Sequence, residues 1–378
     1  MTGKPMAIGI VGCGNIASAY AADIATYPEL RLVATADIDL ARATAVAAAH
    51  GARAYGSLDE LLADPEVETV VNLTVHHAHH AVTRQALESG RHVYSEKPLA
   101  LTPGEAHELV ALAESRGLRL GCSPATFLGE AQQTAGRVLG DGRLGRVRVV
   151  YADVSWGRIE TWHPAPAPFF DVGVLFDVGV YPITIVTAFL GPVRSVRAWG
   201  WELKPERTAV TGQTFRIGSP DLVLAALELE DGAVVRLCAS FYVGRPVRSP
   251  GSIEFHGDAG SLWLESFQAF DAAVETADYG QTYAPEPYVR PPYAGTAWGR
   301  GLADLALAAR ERRQHRATGV QAAHVVDVLG AIRDSSAGDG RRVRVGSGFP
   351  APALMDWALP KPSGRPRGVP RAEPRNPS

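Results

Sequence analysis

The sequence predicts an α/β protein in two parts: an N-terminal doubly wound parallel sheet, then a C-terminal α+β domain on a mainly antiparallel open sheet. Three observations predict it. Up to about residue 125, short apolar runs alternate with amphipathic stretches, the rhythm of strands and crossover helices in a parallel sheet. A glycine-rich turn, Gly12-Cys13-Gly14-Asn15-Ile16-Ala17, stands where the first strand pattern passes into the first helix pattern. Beyond residue 123 the apolar segments lengthen and are joined by turn residues, as antiparallel strands are.

The N-terminal strands are expected at 7–11, 30–37, 69–74, 92–95 and 118–122. Between them, 16–27, 40–50, 79–89 and 103–116 carry apolar residues at three- and four-residue spacing and read as helices. In the second part, strands are expected at 146–156, 193–204, 222–230 and 233–242, with Glu230-Asp231-Gly232 as a hairpin turn and an apolar helix at 178–190. Residues 271–293, with Tyr279, Tyr283, Tyr288 and Tyr293, read as a loop, and helices at 296–313 and 320–335 close the domain. The boundaries follow: a domain carrying the glycine turn over 1–123, a second domain over 124–350, to which the resemblance described below assigns substrate binding and dimerisation, and a disordered tail over 360–378. The tail combines Lys361, Arg365, Arg367, Arg371 and Arg375 with repeated proline and cannot bury a core.

Composition narrows the partners. With 37 basic and 40 acidic residues the net charge is −3, so no overall field draws the chain to nucleic acid or anionic lipid, and a small molecule is the default partner. No apolar run reaches the ~18 residues of a membrane span, and the start lacks a signal-peptide pattern. Cys13, Cys122 and Cys238 are too scattered for a disulfide framework or a thiolate metal site, which fits a reducing cytoplasm. His76 and His80 have metal-ligand spacing, yet no acidic or cysteine partner is near them in the chain, so no metal is expected.

The glycine turn carries a specific chemistry. Gly12 permits the tight turn, Gly14 lets a pyrophosphate approach the backbone, and Ala17 allows close helix-to-strand packing. Asn15 and Ile16 open a helix whose free N–H groups and dipole favour an anion. Asp37, at the end of the second strand, is placed to accept hydrogen bonds from ribose hydroxyls, with Asp39 as the alternative. A fixed carboxylate there repels a 2′-phosphate, and no basic residue follows until Arg42, so NAD is favoured over NADP. This is the Rossmann fingerprint in its strand–turn–helix context.

Two further groups point to catalysis. Lys97, in Ser95-Glu96-Lys97-Pro98, falls at the carboxyl edge of the sheet, where open α/β folds bind ligands. Asp177 and Tyr181 are four apart on one helix face. Trp156, Arg158, Trp162, His163, Phe169 and Phe170 precede that helix in a proline-broken stretch that could overhang a cleft.

With these motifs the chain resembles the Gfo/Idh/MocA oxidoreductases over roughly residues 6–345. Thr74-Val75-His76-His77-Ala78-His79 resembles the family's T-P-N-x-x-H, Ser95-Glu96-Lys97-Pro98 its C-E-K-P, and Asp177-Val178-Gly179-Val180-Tyr181 its D-x-G-x-H or D-x-G-x-Y. Residues 121–145 resemble a sugar-oxidoreductase subgroup, with a weaker echo at 315–329.

The resemblance implies cofactor contacts at Thr74, His76, His79, Glu96 and Lys97, and a cis bond before Pro98 that aims Lys97 at the reacting hydroxyl. It implies acid–base work by Lys97 and Tyr181 with Asp177 orienting, His163 in reserve, and substrate contacts from Trp162, His163 and Phe169. The implied activity is hydride transfer between NAD and a carbinol of a sugar, cyclitol or polyol. A redox-neutral glycosidase- or epimerase-like enzyme and a non-catalytic dinucleotide sensor are the alternatives. A homodimer or homotetramer through the open face of the second sheet is also implied. Two departures bear on substrate: residues 171–175 keep one glycine of the family's glycine-rich run, and Ala125 stands where the subgroup often has an acid.

Overall fold

The computed structural model describes residues 4–359 other than 245, 246 and 249; the predicted tail at 360–378 lies outside the described residues. The first sheet is built from β1 (Met6–Val11), β2 (Leu30–Ala36), β3 (Arg53–Tyr55), β4 (Thr69–Asn72), β5 (His92–Ser95) and β6 (Leu120–Cys122). They are ordered β3-β2-β1-β4-β5-β6, with every pair parallel. The order reverses between β1 and β4, which opens a crevice at their carboxyl ends.

Helices α1 (Ala17–Thr26), α2 (Leu40–His50), α3 (Leu58–Ala63), α4 (His79–Glu88) and α5 (Pro103–Ser115) cross between the strands. Three of their starts are capped by side chains. Asp39 accepts from the Ala41 N–H, Ser57 from the Glu60 N–H, and Thr102 forms a reciprocal box with Glu105 just before Pro103. Strand β3 and helix α3 were not anticipated, because three and six residues are too short to display a period.

In the second part α6 (Glu130–Gly140) precedes β7 (Val147–Ser155). Helix α7 (Ala167–Val174) is kinked at Gly173 and continues through a π-helical turn at Leu175–Gly179 into α8 (Val180–Leu190). The 167–190 segment is long and apolar enough to cross a membrane, a run the sequence count missed, but 89% of its apolar window is buried inside the protein. It is the core helix of this domain. Strands β8 (Val193–Trp201), β9 (Glu206–Thr208), β10 (Thr214–Arg216), β11 (Leu222–Leu229), β12 (Val234–Ser240), β13 (Ile253–Gly257), β14 (Gly260–Leu264), β15 (Val274–Asp278) and β16 (Ala284–Pro285) follow. Helices α9 (Arg300–Glu311) and α10 (Gly319–Ala337) and strand β17 (Val343–Arg344) complete the chain.

The large sheet runs β16-β15-β14-β13-β7-β12-β11-β8-β17, mixed only at the parallel β7–β12 pair. The predicted loop at 271–293 contributes the edge strand β16 and its neighbour β15, and Gly232 turns the expected hairpin. One face of this sheet buries Val223, Ala225, Leu227, Val235 and Leu237 in the main core, while Tyr151, Trp199, Trp201, Leu224 and Val234 remain exposed. The last helices serve both parts: Leu302 and Leu305 of α9 and Ala323 and Val326 of α10 lie in the cores of the first sheet.

Candidate functional site

At the end of β1, Gly12 has φ +91°, and a Cβ there would sit 2.7 Å from the Leu73 backbone, so no other residue can make this turn. Gly14 and Asn15 are exposed, and a Cβ on Gly14 would meet nothing within 4 Å, leaving an open cradle. Ile16 is the N-terminal boundary residue of α1, whose first turn carries no acid of its own to occupy the free N–H groups. Asp37 Oδ2 accepts the Cys13 N–H at 2.7 Å and Oδ1 the Asp39 N–H at 2.8 Å, which fixes its carboxylate against the glycine turn. Asp39 instead caps α2 and pairs with Arg42. Ile38 and Val75, just past β2 and β4, are exposed apolar side chains. These residues fit a dinucleotide.

Beyond β4, Thr74 Oγ1 donates to Asn72 Oδ1 at 2.7 Å. His79 is buried, with Nδ1 2.7 Å from the Pro98 carbonyl and Nε2 3.0 Å from the Thr74 carbonyl. Burial disfavours the charged form of the ring, so a single N–H serves one of these two carbonyls, and the side chain braces the two loops. His76 and His80 point apart: His80 meets Glu108 at 3.1 Å outside, whereas His76 Nε2 lies 4.0 Å from Asp177 Oδ1. They do not form a ligand pair.

Lys97 precedes a cis bond to Pro98, and its Nζ donates to Asp177 Oδ1 at 2.8 Å and to the Asp177 carbonyl at 2.6 Å. The ammonium lies 5.3 Å from the centre of the Tyr181 ring, so Asp177 and Tyr181, from the π-helical turn and α8, converge on one cation. Burial opposes the Lys97 charge, but Asp177, Tyr181 and Glu96 together outweigh it and hold the ammonium protonated. Burial raises the Tyr181 phenol well above its usual range despite the opposing pull of Lys97, so it is a neutral donor rather than a phenolate. Burial and the Lys97 charge lower the His76 imidazole to about 4.

Under this centre runs a hydrogen-bond chain that sequence did not reveal. Glu96 accepts the Tyr20 O–H at 2.5 Å and the Lys97 N–H at 3.1 Å, and Tyr20 also meets Ser123 Oγ at 2.8 Å. Glu96 therefore fixes the lysine backbone. The available signal was Tyr20 itself, the one hydroxyl on the buried Ala17–Tyr20–Ala21–Ile24 stripe.

Of the substrate candidates, Trp162 is 54% exposed and lines an open hollow of about 490 Å³ with Trp156, Arg158 and Thr161. His163 packs edge-on between Trp162 and Phe169, and its Nδ1 accepts the Ala165 N–H. This stretch is anchored from below. Arg207, fully buried, bonds Glu160 at 2.7 Å, contacts Asp221 and stacks on Phe170. The glycine retained from the altered run is Gly173, whose φ of +81° makes the kink before Asp177. Ala125 is buried toward α9, where a Cβ on Gly301 would approach it to 2.7 Å.

A parallel sheet with this cradle at its switch point, and a lysine–aspartate centre beside it, defines a two-domain NAD-binding protein. Residues 6–123 match the oxidoreductase family with an NAD-binding Rossmann fold, and residues 132–263 match the GFO/IDH/MocA C-terminal domain. The chain belongs to the Gfo/Idh/MocA oxidoreductase family. It is 34% identical over 224 residues to trans-1,2-dihydrobenzene-1,2-diol dehydrogenase of Macaca fuscata fuscata, covering 58% of this chain and 64% of that one. It is 32% identical over 232 residues to dTDP-3,4-didehydro-2,6-dideoxy-alpha-D-glucose 3-reductase of Streptomyces antibioticus, covering 60% of this chain and 70% of that one. An inositol dehydrogenase homologue from Azotobacter vinelandii, solved with NADH and myo-inositol, superposes with a TM-score of 0.76 at 22% identity, covering 91% of this chain and 98% of that chain. That last likeness establishes the fold.

Proposed function

We propose that the protein is an NAD-dependent oxidoreductase that moves a hydride between the nicotinamide and a ring carbinol of a sugar, cyclitol or related polyol. The observation that carries this reading is the Lys97–Asp177 pair at 2.8 Å, set at the crevice edge with Tyr181 against the same ammonium. The dinucleotide supplies the hydride acceptor or donor. Lys97 and Tyr181 form the acid–base pair: the ammonium and the neutral phenol hold the substrate oxygen and return its proton when a ketone is reduced, and Lys97, after giving up one of its own protons, takes the hydroxyl proton when an alcohol is oxidised. Asp177 orients Lys97. Trp162 and Trp156 offer flat faces to the C–H faces of a ring. The relatives, a cyclic-diol dehydrogenase and a sugar reductase, and the inositol held beside NADH in the solved neighbour support a ring alcohol as the substrate class.

The exposed Tyr151, Trp199, Trp201, Leu224 and Val234 lie on one face of the large sheet and support self-association there into a homodimer, or a tetramer of such dimers.

Lys97→Ala tests the catalytic reading. Turnover should fall at least ~100-fold, the low end for lost acid–base assistance, while NADH binding measured by fluorescence titration persists. A variant that retains turnover removes Lys97 from the chemistry.

A further inference from the structure

Taking Proposed function as its basis, the geometry points to a proton exit: we propose that His76 relays the reaction's proton between the Lys97–Asp177 pair and solvent. Asp177 Oδ1 receives Lys97 Nζ at 2.8 Å and faces His76 Nε2 at 4.0 Å, so one oxygen stands between the ammonium and the imidazole. Side-chain exposure rises outward along this line, from 7% at Asp177 and 12% at Lys97 to 22% at His76. The other titratable groups around the imidazole are His77, on the surface, and His79, whose buried ring lies between the Thr74 and Pro98 carbonyls. Tyr181 is buried behind Lys97. Among the described residues, His76 is thus the titratable group that leads from the Asp177 carboxylate toward water.

Its neutral form suits the task. An imidazole with a proton on Nδ1 presents a lone pair at Nε2, accepts a proton there and releases one from the other nitrogen. A shift of about 1 Å brings Nε2 within hydrogen-bond reach of Asp177 Oδ1.

In oxidation, Lys97 Nζ passes one proton to Asp177 Oδ1, and His76 Nε2 takes it from there. The vacated Nζ lone pair receives the substrate hydroxyl proton as the carbinol C–H electron pair leaves as hydride to the nicotinamide, which is the oxidant. A C–H and an O–H bond break, the carbonyl forms, and one proton reaches solvent from His76. Reduction runs the same path inward.

The test uses full-length protein with NAD and whichever of myo-inositol, glucose or a cyclic trans-diol the wild type turns over fastest. His76→Asn and His76→Gln should lower kcat about 100-fold, with recovery on adding free imidazole and with unchanged NADH affinity. The acid limb of the kcat–pH profile should move with the substitution. Unchanged kcat in both variants overturns the relay. So does a loss that imidazole does not restore and that tracks weaker NADH binding, since His76 is then a cofactor contact alone. In the wild type, single-turnover hydride transfer should slow in D2O, and an unchanged rate also overturns the relay. A wild type that binds NADH but oxidises none of the three overturns the functional reading itself, and the relay with it.

Discussion

At the scale of single residues, the cofactor choice rests on Asp37, whose carboxylate is held at 2.7 Å against the Cys13 N–H on the glycine turn. Asp37→Ala should raise the ratio of NADP to NAD turnover by removing the charge that repels a 2′-phosphate; an unchanged ratio would place cofactor choice elsewhere. Tyr181→Phe should lower kcat while leaving the Lys97–Asp177 pair intact, because the lost phenol is a hydrogen-bond donor to the substrate oxygen; full activity would shift the donor to another group, His163 first. Much at this scale was legible. Gly12, Gly14, Asp37, Lys97, Asp177 and Tyr181 sit in local motifs whose spacing encodes their placement. His76 entered the sequence reading as a metal ligand weighed with His80 and, by resemblance, as a cofactor contact; its approach to Asp177 was not legible, because it joins residues a hundred positions apart. Glu96 gave no hint of Tyr20 beneath it for the same reason.

At the scale of elements, the altered glycine run and the buried arginine decide how the site is held. Gly173 combines φ +81° with a Cβ position 3.0 Å from Ser219 Oγ, so Gly173→Ala should cost roughly 1–3 kcal/mol of stability and disturb Asp177 four residues on. Chemical denaturation together with kcat reads both effects. Arg207→Met leaves Glu160 and Asp221 buried without their cation and should cost about 3–5 kcal/mol, releasing the stretch that carries Trp162. A variant as stable as wild type would show that the clamp is dispensable. The long helices and strands were legible from their periods. The kink and π-helical turn were not, because a largely apolar stretch shows no period that marks where its backbone departs from the α geometry. Nor was β15, whose tyrosine- and proline-bearing surroundings read as loop until strand β14 gave it a partner.

At the scale of the molecule, α9 and α10 bind the dinucleotide sheet to the second domain, so unfolding should couple the two. Two buried histidines report on that coupling. Burial lowers His315 and His324 from 6.5 to about 4, so each is neutral in the fold and protonates more readily when unfolded. Their contribution is complete above about pH 6.5 and is lost as pH falls toward 4. The Tm should therefore drop across that window, and a flat Tm would contradict their burial. The outer sheet face makes a separate prediction: Leu224→Glu should weaken self-association in sedimentation equilibrium without lowering NADH affinity.

The central claim is hydride transfer between NAD and a ring alcohol, and absorbance at about 340 nm, where reduced nicotinamide absorbs, tests it most directly. Purified protein with NAD, and separately with NADP, is offered sugars, cyclitols and cyclic diols. The account predicts growth of the signal with one of these classes, faster with NAD than with NADP; silence across the whole panel from protein that binds NADH would contradict it.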